Sequence, residues 1–220
     1  MLYGKVRGVP VIKAIHRLHY GDTTLPESSI LPGGDPTRAV PILFSVFLVQ
    51  TEERNILVDA GCETMPGFAM QNFTTPMAVL RAHGLTAEDI TDVIITHAHH
   101  DHIECVKYFR NATVHIQEEE QREGAAYLTE NIGVCTFADT KMLEDGIRII
   151  KIGGHSVGSC VVECDWKGKT YVLCGDECYS FRNLRQKLPT ASSVCAENSR
   201  RFIEQYTQSP YICLLCHDIE

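Results

Sequence analysis

The sequence predicts a mixed α/β layered fold with helices on the outside, and three observations carry that prediction. Short apolar, β-branched runs recur along the chain, most plainly at Ile42–Val49, Ile56–Val58, Val93–Ile95 and Tyr171–Cys174. Segments with helical spacing stand between some of them, bounded by Gly and Pro. The intervals between strands mix hairpins with crossovers and give no regular βαβ count, so the sheet content is neither purely parallel nor purely antiparallel.

Taken in order, Val11–Leu18 contains an extended-type run, and Gly21–Arg38, rich in Pro, Gly, Ser and Thr, reads as a long loop of the kind that often carries function. Ile42–Val49 reads as a central strand, Thr51–Asn55 as a polar turn, and Ile56–Val58 as the returning strand of a hairpin that ends at Asp59-Ala60-Gly61. Thr74–His83 reads as a helix with Met77 and Leu80 on one side and Gly84 as its stop. Thr86–Asp89 resembles a capped helical turn leading into a strand over 92–96. Short helices are expected at Ile103–Phe109 and Glu118–Ala126, and strands at Thr113–Ile116, Ile147–Ile152, Cys160–Cys164, Tyr171–Cys174 and Tyr211–Leu215. Lys167-Gly168-Lys169 is a turn, and Ala191–Tyr206 a helix with Cys195, Phe202, Ile203 and Tyr206 on one face.

A chain of 220 residues is enough for one sizeable core, and a single domain over 1–220 is expected. The net charge of -8 counts against nucleic acid or an anionic membrane surface as a partner, because both require basic patches. No apolar run reaches the length of a membrane span. Met1–Pro10 lacks the apolar centre of a secretory signal, so a cytoplasmic location is expected. There the ten cysteines are reduced thiols. Cys105, Cys160, Cys174 and Cys213 lie in apolar runs and read as small core hydrophobes.

The chemistry concentrates in Thr96-His97-Ala98-His99-His100-Asp101-His102, directly after Val93-Ile94-Ile95. Alternation in an extended chain sends His97, His99 and Asp101 to one side, with His102 turning in as the strand ends. Imidazole nitrogens and carboxylate oxygens are ligands for zinc and similar divalent ions. Three further polar residues follow apolar strands in the same way: His155 after Gly153-Gly154, Asp176 after Gly175, and His217 after Cys216. His100 falls on the opposite face and reads as a rim or core residue. His16, His19, His83 and His115 have no companion pattern and read as structural or exposed.

His97-x-His99-x-Asp101-His102, followed by His155, Asp176 and His217, resembles the full ligand set of the metallo-β-lactamase superfamily. Asp59, at the end of an early strand, matches an aspartate that supports the metal site there. The resemblance covers about Ile42 to the C-terminus. It implies an α+β, four-layer αββα sandwich with the metal site at one edge of two sheets.

Within the superfamily the chain is most similar to the N-acyl homoserine lactonases, the quorum-quenching lactonases. The likeness rests on Tyr179 three residues after Asp176, on Gly154-His155-Ser156-Val157-Gly158 and on the tail His217-Asp218-Ile219-Glu220. It implies two divalent metals, zinc first, with iron, manganese and cobalt suited to the same donors. His97, His99 and His155 hold one metal in that scheme. Asp101, His102 and His217 hold the second, and Asp176 bridges them. The implied reaction is hydrolysis of a carboxylic ester or lactone by a metal-bridging hydroxide. Asp101 moves the proton, and Tyr179 donates to the carbonyl or leaving oxygen.

The implied partner is a small-molecule ester or lactone, with no nucleic acid and no membrane; a homodimer is compatible with the resemblance. The chain departs from the lactonases at Ile103-Glu104-Cys105, where they carry glycines, and in stopping three residues after His217. The alternatives on the same fold are a thioester hydrolase of glyoxalase II type, a mono-iron persulfide dioxygenase, and a non-catalytic small-molecule sensor. Cys213-Leu214-Leu215-Cys216-His217 matches the pattern of c-type haem attachment. It reads instead as a buried strand whose histidine serves the metal site.

Overall fold

In the computed structural model, which describes residues 12–219, two sheets pack face to face with helices on both outer sides. Met1–Pro10, Val11 and Glu220 lie outside the described residues. The first sheet has the order β1 (Ala14–Pro26), β2 (Ala39–Gln50), β3 (Asn55–Val58), β4 (Asp92–Ile95), β5 (Thr113–Gln117) and β6 (Gly133–Phe137). Its first three strands are antiparallel and β3 to β6 run parallel. The second sheet contains β7 (Thr140–Glu144), β8 (Ile147–Lys151), β9 (Cys160–Trp166), β10 (Lys169–Leu173) and β11 (Tyr211–Leu214), with only β10 and β11 parallel.

The inner faces supply a shared core. Phe47, Val49, Ile56, Val58 and Ile94 from the first sheet meet Ile147, Ile149, Val162 and Leu173 from the second. Each of these apolar side chains contributes about 1.5–3 kcal/mol when fully withdrawn from water. The outer face of the first sheet packs against α1 (Pro76–Ala82), α2 (His100–Ile103) and the segments around them, through Leu80, Ile103 and Val106. The helix α3 (Glu118–Glu123) follows β5 on that sheet. The outer face of the second sheet packs against α4 (Phe181–Gln186) and α5 (Ala196–Tyr206), through Leu184, Phe202, Ile203 and Tyr206. This is the expected αββα sandwich. Among the described residues no helix is long and apolar enough to cross a membrane.

Local sequence explains several boundaries. Thr75 caps α1, its hydroxyl accepting from Ala78 N, and Gly84 ends the segment at φ +77°. Thr86 and Asp89 form the expected reciprocal cap around a one-turn 3-10 helix. Lys167 and Gly168 both have positive φ and join β9 to β10 as a two-residue hairpin loop.

Other boundaries differ from the sequence reading. β1 continues to Pro26, so the first third of the expected Gly21–Arg38 loop is strand. It pairs with the apolar β2 along its length, across a shift between His19 and Gly21, and that pairing outweighs the polar composition. The Ile103–Phe109 helix is instead the end of α2 followed by a 3-10 turn over Glu104–Tyr108. The helix expected from Ala191 begins at Ala196, with Cys195 at its cap. The strands β6 and β7 and the helix α4 have no counterpart in the sequence reading.

A buried polar node closes the sheet end opposite the histidine-rich loop. Asp92 accepts from Arg54 Nη1 at 2.6 Å, from Thr91 Oγ1 at 2.8 Å and from His115 Nε2 at 2.8 Å. Burial pushes its carboxyl upward, yet His115, Thr91 and Arg54 together hold it below the usual carboxylate range. A depressed folded value gives stability that is present above about pH 4 and lost as pH falls through the folded value. Asp92→Asn should therefore cost about 1.5–3 kcal/mol near neutral pH. Denaturant unfolding measured across pH should show the gap to wild type closing in acid. A gap independent of pH would show that the Asp92 charge does not contribute.

Candidate metal centre

The site is assembled where strands of both sheets end. β4 ends at Ile95 and leads directly into Thr96-His97-Ala98-His99, and α2 then turns Asp101 and His102 back toward them. Thr96 O accepts from Cys160 N at 2.9 Å, which fastens this exit to the second sheet. His155 follows β8, Asp176 follows β10 and His217 follows β11. Leu43 on β2 ties His217 back to the first sheet: Leu43 N donates to His217 O at 3.0 Å, and His217 Nδ1 donates to Leu43 O at 2.7 Å.

All seven residues that the sequence singled out converge. Asp176 Oδ2 lies 3.5 Å from His97 Nε2 and 3.4 Å from His155 Nε2. His155 Nε2 is in turn 2.9 Å from His99 Nδ1. The other oxygen, Asp176 Oδ1, lies 3.1 Å from His102 Nε2 and 3.0 Å from His217 Nε2. Asp101 Oδ2 stands 3.6 Å and 3.7 Å from those same two nitrogens. Asp176 thus faces a separate histidine set with each oxygen.

Neighbouring groups fix which nitrogen each imidazole presents. Asp59, in the left-handed region at φ +62°, accepts from Thr96 N at 2.8 Å and from His102 Nδ1 at 2.8 Å. His102 Nε2 is thereby turned toward Asp176. Asp59 does what the resemblance implied. His100 points elsewhere, to Tyr127 Oη at 3.0 Å and Thr64 O at 2.8 Å, in keeping with a rim position. His115 pairs with Asp92, and His16 stacks edge-on against His83 at 5.6 Å.

Burial holds the His97 imidazole far below its ordinary range and takes His155 down to about 4, so both are neutral donors. For His102 burial acts the same way, but Asp176, Asp59 and Asp101 outweigh it and the net direction is upward. His217 also rises against burial, beside Cys216 and Asp176. Asp176 stays ionised despite burial because His102, His217, His97 and His155 surround it. The cluster is a place that favours positive charge. His97 Nε2 and His102 Nε2 are also buried without a hydrogen-bond partner. Buried orphan nitrogens converging on a carboxylate fit a divalent cation, and the two groupings around Asp176 fit a pair.

Several supporting residues gave no readable signal in the sequence. Glu120 accepts from Ala98 N at 2.8 Å, Ser156 Oγ at 2.6 Å and Gly158 N at 2.8 Å, and so clamps the His99 and His155 loops together. Nothing in Glu118-Glu119-Glu120 marks which carboxylate turns inward. Glu177 accepts from Gly154 N, His155 N and the Ser159 hydroxyl, and burial pushes its carboxyl up to about 7. A Cβ at Gly154 would collide with Glu177 and Ser199, so only glycine allows this close approach. Residues 191–195, expected to be helix, instead cover the site. Cys195 N bonds Gly154 O at 3.0 Å, and Ser192 Oγ lies 3.2 Å from His155 Nδ1 and 2.9 Å from Tyr179 Oη.

A cavity of about 450 Å³ opens over the cluster. His99, Asp101, Asp176, Tyr179 and His217 border it, and Ile30, Ile42, Phe44, Met65 and Phe68 line it with apolar surface. Tyr179 packs edge-on to His155 and His217, at 5.8 and 5.5 Å. Burial and then Asp176 push its phenol well above its ordinary value, so it keeps its proton and can donate. The Ile103-Glu104-Cys105 triplet leaves this cavity untouched. Ile103 and Cys105 are core, and Glu104 accepts from Glu63 N at 2.9 Å and pairs with Lys107.

Paired sheets between helices, with histidines and carboxylates gathered at one edge, form the framework of a metal-dependent hydrolase. The chain belongs to the metallo-beta-lactamase superfamily, whose family model matches residues 44–194. An N-acyl homoserine lactonase of Bacillus cereus is 27% identical over 241 residues, covering 95% of this chain and 94% of that protein. Two solved structures share the fold. One is an N-acyl homoserine lactone hydrolase with the product N-hexanoyl-L-homoserine bound at the catalytic metal centre (20% identity, TM-score 0.80, 95% and 94% coverage). The other is a probable metal-dependent hydrolase from Staphylococcus aureus (23% identity, TM-score 0.82, 96% and 91% coverage).

Proposed function

We propose that this chain is a dinuclear metal-dependent hydrolase of carboxylic esters that opens a lactone ring of the N-acyl homoserine lactone type. The observation that carries the reading is Asp176, whose two oxygens each face a separate histidine set at the floor of an apolar-walled cavity. His97, His99 and His155 hold one metal, zinc in the first place. Asp101, His102 and His217 hold the other, and Asp176 lies between them. Bound divalent metals supply Lewis acidity toward the ester carbonyl and make coordinated water nucleophilic at neutral pH.

The chain's own residues supply the rest. Ile42, Phe44, Met65 and Phe68 offer apolar surface to an acyl chain and keep water from the ester. The Tyr179 hydroxyl donates to the carbonyl or leaving oxygen. The Asp101 carboxylate, at the cavity border, takes a proton from the attacking water and returns it to the leaving alkoxide. The lactonase relatives and the hexanoyl-homoserine complex point to the same substrate class.

The test is a substrate panel on zinc-loaded protein: acyl homoserine lactones of graded chain length, aryl esters, thioesters and phosphodiesters. Lactones should lead in kcat/KM by at least about tenfold, a pocket-level discrimination. Faster thioester turnover would replace the lactonase reading with a glyoxalase II-like one. Tight lactone binding without turnover would indicate a sensor.

A further inference from the structure

We propose that Cys216 supplies a sulfur donor to the half of the centre built on His102, Asp176 and His217, making that half a mixed nitrogen, oxygen and sulfur site. The proposal rests on the reading that the cluster holds metal. Cys216 stands between the end of β11 and His217 and is 1% exposed. Its Sγ lies 3.7 Å from Asp176 Oδ1, the oxygen that faces His102 Nε2 at 3.1 Å and His217 Nε2 at 3.0 Å. Donor atoms of His102, Asp176, Cys216 and His217 all fall within 4.8 Å of one another.

The spacing suits coordination. With Asp101 kept, the group would be a five-donor shell, in which zinc bonds of about 2.0–2.1 Å to nitrogen and oxygen and about 2.3 Å to sulfur put neighbouring donors roughly 3–3.7 Å apart. His102 Nε2, buried and without a hydrogen-bond partner, is turned into the group by Asp59. Sulfur and carboxylate approach from different sides. Cys216 packs in the core between the sheets, whereas Asp101 borders the cavity. Asp101 thus remains the donor nearest to substrate, and the thiol closes the centre from within. On ligation the S–H bond is exchanged for a metal–sulfur bond and the proton leaves to solvent, with no change of oxidation state. A thiolate biases the position toward zinc, cadmium or cobalt and away from manganese or magnesium. The competing account is a thiol that merely donates to Gly175 O at 3.6 Å and to Asp176.

Loading the full chain with cobalt(II) alone separates the two. A sulfur-to-cobalt charge-transfer band in the near ultraviolet should accompany metal uptake. It should vanish in Cys216→Ser and persist in Cys213→Ser, which removes a buried thiol of a different core cluster. Cys216→Asp, which restores an anionic donor, should bind cobalt without the band and guards against a misfolded serine variant. Cadmium preference over manganese should fall at least about tenfold in Cys216→Ser. Cobalt bound at two equivalents with no such band overturns the sulfur ligand and leaves the metal centre standing. No cobalt uptake at all overturns both.

Discussion

Replacing Asp176 with alanine should empty both metal positions together and lower turnover by roughly 10³-fold or more. The argument is geometric. Each carboxylate oxygen stands 3.0–3.5 Å from two imidazole nitrogens, so one side chain serves both histidine sets. It is also electrostatic. Asp176 is buried, and with it removed four imidazoles are left around a hole with no central anion. Two cations held close together repel, and a shared anion offsets that repulsion more than any single imidazole can. Asp176→Asn separates charge from shape, because it fills the same space without the negative charge. Metal analysis of both variants after dialysis against a chelator, beside turnover on the best ester substrate, is the measurement. Two metals retained in Asp176→Ala would show that the histidine sets stand independently, and full turnover of a metal-stripped sample would end the metallo-hydrolase reading of this cluster.

The residues that meet in the site were legible because of where they stand. His97, His155, Asp176 and His217 each follow an apolar strand closely; a polar residue there is ordinary taken alone, and it is the recurrence of metal-ligand types at four strand ends that carries the signal. The alternation expected through His97, His99 and Asp101 stops at His99: Asp101 lies on α2, and it is that helical turn, not an extended chain, that brings its carboxylate beside His102 and His217. What supports those donors was less legible, for physical reasons. Glu120 and Ser192 act through contacts with the His155 segment, separated from them by more than 30 residues of chain, and neither lies in a local pattern. The helix expected to start at Ala191 is shortened because Cys195 N and Ser193 Oγ are pinned to Gly154 O, a tertiary contact that helical periodicity does not encode.

The edges of the sheets show the same limit. β7 is an edge strand with exposed and half-buried residues in alternation, Thr140 and Met142 facing outward, so it lacks the apolar run that reveals a central strand. β1 carries His, Gly, Asp and Thr, and is held by backbone pairing to β2 rather than by its own composition. That misreading has a functional side. Leu25, near the end of β1, lines the cavity, and the buried Tyr20 hydroxyl donates to Asp101 O at 3.1 Å. The part of β1 read as loop, Gly21–Pro26, therefore holds one wall of the site through Leu25, while Tyr20 just before it holds the backbone of a donor residue.

Asp101 is the residue for which ligation and proton transfer can be separated, and the second large effect is expected there. Its Oδ2 is 3.6–3.7 Å from His102 and His217 Nε2, longer than the 3.0–3.1 Å that Asp176 keeps to the same nitrogens. It also borders the cavity, where a reacting ester must sit, while His102 is sealed behind it. Asp101→Asn keeps an oxygen donor and the packing but lacks a basic oxygen. Turnover should fall by about 10²–10⁴-fold, the range of a lost general base, while KM shifts far less and metal content stays at two equivalents. Asp101→Ala should in addition weaken the second metal, leaving His97, His99 and His155 with theirs. The pair of variants distinguishes the roles. If both lose activity only in proportion to lost metal, Asp101 is a ligand and nothing more. If Asp101→Asn holds two metals and still turns over at the wild-type rate, the proton passes through another group, and Tyr179, which donates from the same cavity border, is the next to replace.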